Sequence, residues 1–249
     1  MGRYQELADC YDAFTQDVKY SEWADFYESL FKRHNTKVES VLDLSCGTGT
    51  LSYILAKKGY EVIGVDASPE MLSRAMAKSS QCTEIMPLFL CQEMEDLDLY
   101  GTVDAAVSSL DSINYLDGPC ALDKTLGRLK FFIRPGGLFL FDINTEHKFK
   151  MINGECFMRE NDTDVCIWRS AYNEEEKRCL MMVDVFKKQG KVWARSTEEH
   201  EEYAFSESDI VSLLEKNGFS LEAKYDNLSY DVAKTDSMRI FYVARRNDL

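Results

Sequence analysis

Two stretches of the sequence carry side chains whose types and spacing could do chemistry. In Asp43-Leu44-Ser45-Cys46-Gly47-Thr48-Gly49 a carboxylate stands just before a loop of small residues, and Asp66 closes the apolar run Val62-Ile63-Gly64-Val65. Glycine at a strand-to-helix turn lets the backbone approach a ligand closely. A dinucleotide fingerprint aligned on Gly47 and Gly49 would need glycine at positions 45, 47 and 50, where the chain has Ser45, Gly47 and Thr50. Two of the three fail, which argues against a pyrophosphate seated on the helix N-terminus. Asp43 instead attracts a cation, and Asp66 is placed to accept from both hydroxyls of a ribose. Together they suit a nucleoside that carries positive charge.

Such residues need elements to hold them. The first ~36 residues read as two helices: one carries Leu7, Cys10, Tyr11 and Phe14, and the next is capped by Ser21 and carries Trp23, Phe26, Tyr27, Leu30 and Phe31. Strands are then expected at 41–44, 61–66, 88–91, 103–107 and 138–141, separated by helical stretches. Gly59 closes the first of those helices, and Ser68 with Pro69 opens the second. A later helix starts near Pro119, with Leu122, Leu126, Leu129 and Ile133 on one face, and Arg134-Pro135-Gly136-Gly137 is a turn that ends it. This rhythm implies repeated β-α-β units, hence a doubly wound, mostly parallel α/β sheet.

Residues from about 155 to 203 break the rhythm. Strand-like runs around 165–167, 180–186 and 192–203 are joined by Asn173-Glu174-Glu175-Glu176 and Gln189-Gly190, which reads as an antiparallel β insertion, a lid over 145–205. A helix at 206–217, stopped by Gly218, and strands at 221–225 and 238–243 complete a seven-stranded sheet from residues 1–144 and 206–249.

Composition limits the function classes. The 249 residues include 29 Lys+Arg against 43 Asp+Glu, a net charge of −14, which disfavours nucleic acid and anionic membranes as partners. A chain that is 45% hydrophobic and 12% aromatic folds rather than remaining disordered. No run approaches the ~18 apolar residues of a membrane span, and the N-terminus has no apolar core of a signal peptide, so a soluble cytoplasmic protein is expected. Eight cysteines without a CxxC pair and three scattered histidines point to no metal site.

The glycine loop with its strand, Val41-Leu42-Asp43-Leu44-Ser45-Cys46-Gly47-Thr48-Gly49, resembles the first motif, (V/I)LDLGCGTG, of the class I S-adenosylmethionine-dependent methyltransferases, with Ser45 in place of the first glycine. Three further segments are similar to that family in the expected order: Val65-Asp66-Ala67-Ser68-Pro69-Glu70-Met71-Leu72, Gln92-Glu93-Met94, and Ser108-Ser109-Leu110-Asp111-Ser112-Ile113-Asn114-Tyr115-Leu116. The resemblance implies a Rossmann-like methyltransferase fold with S-adenosyl-L-methionine as cofactor. It implies that Asp43, Ser45, Cys46, Gly47 and Gly49 seat the methionine end, Asp66 and Ala67 the ribose, and Met71, Gln92, Glu93 and Met94 the adenine. Ser109, Leu110 and Asn114 would face the methionine part and the substrate. Tyr4, Tyr11, Tyr20 and Trp23 resemble a small-molecule subgroup whose N-terminal helices close over the cofactor.

Methyl transfer is an in-line displacement, so positioning and exclusion of water are the protein's main tasks, with at most a modest general base. Candidates for acceptor contact are Asp111, Tyr115, Asn144 and His147, each of which also has a plainer reading in local turns or at the surface. Cys46 at a helix start and Cys120 after Pro119 are the weaker nucleophile candidates. His200, within Glu198-Glu199-His200-Glu201-Glu202, is expected on a solvated strand unless that strand lines the lid. The expected function is methyl transfer to a small-molecule N or O acceptor. The alternatives are a nicotinamide dinucleotide oxidoreductase, which Ser45 and Thr50 oppose, and a nucleic-acid methyltransferase, which the charge opposes. Nine acidic residues and no Lys or Arg lie between Glu84 and Asp123, a weak pointer to a cationic amine acceptor.

Overall fold

The computed structural model describes residues 15, 17–81 and 86–248. It opens with helix α1 (Tyr20–Arg33), which turns Trp23, Phe26, Tyr27, Leu30 and Phe31 inward at helical spacing. Lys19, not Ser21, is the N-cap, and no side chain caps this helix. The helix read over residues 7–14 lies outside the described residues.

A seven-stranded sheet follows from β1 (Ser40–Leu44), β2 (Glu61–Asp66), β3 (Leu88–Cys91), β4 (Val103–Ser108), β5 (Ile133–Asn144), β10 (Phe219–Asp226) and β11 (Arg239–Arg246). Its order is β10-β11-β5-β4-β1-β2-β3. Six strands run in one direction, and only β11 is reversed, pairing antiparallel with β5 on one side and β10 on the other. The connections from β1 run outward through β2 and β3 and return to β4 on its other side, so β1 and β4 form the switch point where ligands of such sheets bind.

β1 is buried on both faces, as its Val41, Leu42 and Leu44 anticipate, with the Asp43 carboxyl buried among them. Leu42 and Leu44 enter a core with Leu122, Leu126 and Leu129 of α4 (Gly118–Phe132) and Ile210 and Leu214 of α6 (Glu207–Lys216). On the other face Val41 packs with α1 and with Leu51 and Leu55 of α2 (Thr50–Lys57). Ser68 caps α3 (Pro69–Ala77), accepting from the Met71 amide at 3.2 Å.

Two boundaries differ from expectation. Ile133 begins β5 instead of ending α4, and residues 134–137 are an irregularity inside that strand: Val103 pairs with Ile133, but Ala105 with Leu138. Gly137 explains the crowding, since a Cβ there would lie 2.6 Å from the Asp104 carbonyl oxygen.

The second sheet is antiparallel, in the order β6 (Cys156–Glu160), β7 (Asp164–Asn173), β8 (Arg178–Gln189), β9 (Val192–Tyr203). It is preceded by a short helix, α5 (Glu146–Ile152), capped by Thr145. Neither β6 nor α5 was expected. Among the described residues no helix is long and apolar enough to cross a membrane, and no group of three or more His, Cys, Asp or Glu could hold a metal ion.

Candidate functional site

A cavity of about 650 Å³ opens at the carboxyl ends of β1, β2, β3 and β4. The loop that forms its floor turns sharply: Ser45, Gly47 and Gly49 have φ of +60°, +54° and +71°. Ser45 therefore adopts a backbone state that disfavours L side chains. Gly49 is required for another reason. A Cβ there would meet the Phe89 ring at 2.8 Å and Ala75 at 3.0 Å, so this glycine lets α2 approach β3 and α3.

The loop amides are largely committed within the protein. The Cys46 amide donates to the Val65 carbonyl at 3.0 Å and that of Gly49 to the Cys46 carbonyl at 2.9 Å. The Gly47 amide donates to Asp66 Oδ2 at 2.8 Å, while Asp66 Oδ1 accepts from the Ser68 amide at 2.8 Å. Burial raises the Asp66 carboxyl above its usual range, and these two amides oppose the rise. Asp43 is buried, accepts from the Ser52 hydroxyl at 2.5 Å, and is pushed up to about 7 by desolvation, with the nearby Asp66 charge adding to the rise. Burial also pushes the Cys46 thiol up, which removes its thiolate character and with it the nucleophile reading.

Fourteen of the residues singled out from the sequence line this one cavity: Tyr20, Asp43, Ser45, Cys46, Gly47, Asp66, Ala67, Met71, Gln92, Glu93, Met94, Ser109, Leu110 and Tyr115. The Gln92 side chain also ties the following loop, bonding the Asp98 amide at 2.8 Å and its carbonyl at 3.0 Å. Six of its lining residues are acidic, Asp43, Asp66, Glu70, Glu93, Glu95 and Asp117, of which Asp117 pairs with Arg178 and Glu95 lies 3.6 Å from Lys124; among the described residues no Lys, Arg or His lines the cavity.

Other expected residues lie elsewhere. Trp23 is a core residue against Phe241, with ring centroids 5.1 Å apart. Asn114 is fully buried and bridges chain segments: its amide nitrogen donates to the Asn144 and Tyr203 carbonyls at 3.0 and 2.9 Å, and its oxygen accepts from the Asn144 amide at 2.9 Å. Asn144 donates to Glu202 at 2.8 Å and accepts from Lys148 at 2.7 Å. Asp111 pairs with Arg239 at 2.6 Å and does not line the cavity, nor do Gly49 and His147. Tyr4 and Tyr11 lie outside the described residues.

His200 is the reverse case. It is 2% exposed instead of solvated, with Nε2 3.2 Å from Glu198 Oε2 and its ring 6.1 Å from that of Tyr115, edge to face. Sequence reasoning missed Arg239, Asp142 and Glu202 altogether. The only signal was a charged residue within or beside each apolar run, at Asp142 and Arg239.

Sheet order and crevice define a doubly wound α/β protein with a cavity at its switch point, where ligands of such sheets bind. A methyltransferase domain model matches residues 41–137. A putative methyltransferase of Bacillus subtilis, YqeM, is 30% identical over 246 residues, covering 98% of this chain and 97% of that protein. A crystal structure of an S-adenosylmethionine-dependent methyltransferase from Clostridium acetobutylicum superposes with a TM-score of 0.86 at 29% identity, covering 99% of this chain and 100% of that one. A Streptomyces fradiae dTDP-3-amino-3,6-dideoxy-alpha-D-glucopyranose N,N-dimethyltransferase is 29% identical over 139 residues, 55% of this chain and 52% of that protein. The chain belongs to the class I S-adenosylmethionine-dependent methyltransferases.

Proposed function

We propose that the chain transfers a methyl group from S-adenosyl-L-methionine, bound in the 650 Å³ cavity, to the nitrogen or oxygen of a small-molecule acceptor, with a cationic amine favoured. One observation carries the reading: six acidic residues and, among the described residues, no cationic one line the cavity, with Asp43, Asp66, Glu70 and Glu93 in no ion pair to Lys or Arg there, while the amides of Cys46, Gly47 and Gly49 are already bonded within the protein. A pyrophosphate needs free amides and positive charge, so this lining opposes a nicotinamide dinucleotide. A sulfonium and an ammonium need the opposite.

Asp66 is the proposed ribose acceptor, Asp43 and the 45–47 loop hold the methionine end, and Met71, Glu93 and Met94 flank the adenine. When bound, the cofactor supplies an electrophilic methyl group for in-line displacement by the acceptor. The chain's own residues need only orient the two partners and exclude water, a contribution worth several kcal/mol without covalent catalysis. Tyr20, Tyr115 and Asp117 line the same cavity and are the proposed acceptor contacts. The similarity to an amino-sugar N-methyltransferase supports an amine as the acceptor type. We further assign residues 145–205 as an inserted unit that closes the acceptor side.

Isothermal titration with S-adenosylhomocysteine tests the reading. Wild type is expected to bind, and Asp66→Ala to weaken binding at least about tenfold, the loss of one charge-assisted hydrogen-bond pair. Absence of binding to wild type overturns it.

A further inference from the structure

Leu110 and Asp111, immediately after β4, have φ of +58° and +57°. Each such residue is disfavoured by roughly 5- to 30-fold in a free chain, and leucine has no polar side chain to ease it. The surroundings overdetermine this conformation. The Asp111 amide donates to Asp142 Oδ2 at 2.9 Å. Arg239 Nη2 donates to Asp111 Oδ1 at 2.6 Å, and its Nη1 donates to Asp142. Asp142 is fully buried, and the Arg239 and Asp111 side chains are each 17% exposed. The Trp23 ring lies 5.7 Å beneath the guanidinium. One residue earlier, the Ser109 hydroxyl is bonded to Tyr27 Oη at 2.8 Å.

Ser109 and Leu110 form the cavity wall on the β4 side. In the order β4-β1-β2-β3, Asp66 ends β2 and Glu93 follows β3, so a nucleoside at those two residues leaves the β1 and β4 loops to the rest of the cofactor. We propose that Arg239 is a positioning residue for methyl transfer: by clamping Asp111 against Asp142 it holds the loop after β4 in the left-handed conformation that shapes the wall facing the methionine portion of the cofactor. Arg239 does not line the cavity, so its action is indirect. The inference rests on the cofactor assignment above.

The test compares S-adenosylhomocysteine with 5′-methylthioadenosine, which lacks the amino-acid portion, by isothermal titration. Arg239→Met is expected to weaken the first about tenfold and the second less than about twofold, because only the first meets the wall after β4. Arg239→Lys keeps one of the two charge contacts and falls between. The double variant Asp111→Gly with Arg239→Met lets the backbone hold its conformation without the clamp and recovers most of the loss. Hydrogen exchange at the Asp111 amide gives a readout independent of ligand, rising in Arg239→Met. Should Arg239→Met not fold, Arg239→Lys carries both measurements.

Equal weakening of both ligands, or of neither, overturns the clamp while the cofactor assignment stands. So does unchanged exchange at Asp111. If wild type binds neither ligand, the cofactor assignment falls and the proposed role falls with it.

Discussion

Acidification from pH 8 to pH 6 is expected to weaken S-adenosylmethionine binding about tenfold, through Asp43. Its carboxyl, buried beside Asp66 and pushed up to about 7, is about nine-tenths ionised at pH 8 and about one-tenth at pH 6. A cationic ligand selects the ionised form, so the apparent dissociation constant scales inversely with that fraction. Stability of the unliganded fold moves the opposite way. A carboxyl whose folded value is raised from 3.8 to about 7 contributes stability that is full below about pH 4 and is lost as pH rises through 7, on the order of 4 kcal/mol. Asp43→Asn keeps an acceptor for the Ser52 hydroxyl but removes the proton equilibrium. The variant is expected to bind weakly with little change between pH 6 and 8, and to unfold at higher denaturant than wild type at pH 8. Isothermal titration at pH 6, 7 and 8 on both proteins, paired with urea melts, checks each half. A flat wild-type affinity across that range rules out Asp43 as the titrating group, and so does a tenfold change that persists in Asp43→Asn.

Two further predictions concern other groups. Ser45→Gly relieves a left-handed φ of +60° and is expected to raise stability by about 1 kcal/mol, or roughly 2–4 °C in a thermal melt, with cofactor binding retained. Glu202 is fully buried and pushed up from 4.5 to about 8 by desolvation, so stability from this group is full below about pH 4.5, falls as pH rises toward 8 and is lost above it; Glu202→Gln flattens the decline between pH 5 and 8 in denaturant melts.

The parts of this molecule that were legible from sequence are those encoded by neighbouring residues. The β1 loop, Asp66 and the Ser68 cap each depend on a few consecutive positions, and all three lie where their local patterns put them. What was not legible depends on distant partners. Asn114 has the chemistry of a ligand contact but is satisfied by chain segments 30 and 89 residues away. Trp23 carries a helical stripe whose partner, Phe241, comes from the far end of the chain. Arg239 meets Asp111 across 128 residues, with no pattern around either to announce it. β6 escaped because all five of its residues are exposed, which leaves no alternation to read. His200 was masked by its acidic neighbours: residues 199 and 201 face solvent while His200 between them is buried, as strand periodicity requires.

The proposed reaction is methyl transfer from S-adenosylmethionine to a small acceptor in the acidic cavity. Incubating the protein with methyl-deuterated S-adenosylmethionine and a fractionated metabolite pool, followed by mass spectrometry, tests it most directly. Label is expected on low-molecular-weight amines, with S-adenosylhomocysteine as the co-product and loss of both in Asp66→Ala. Label appearing in nucleic acid, or only in carboxylate or phosphate acceptors, would contradict it.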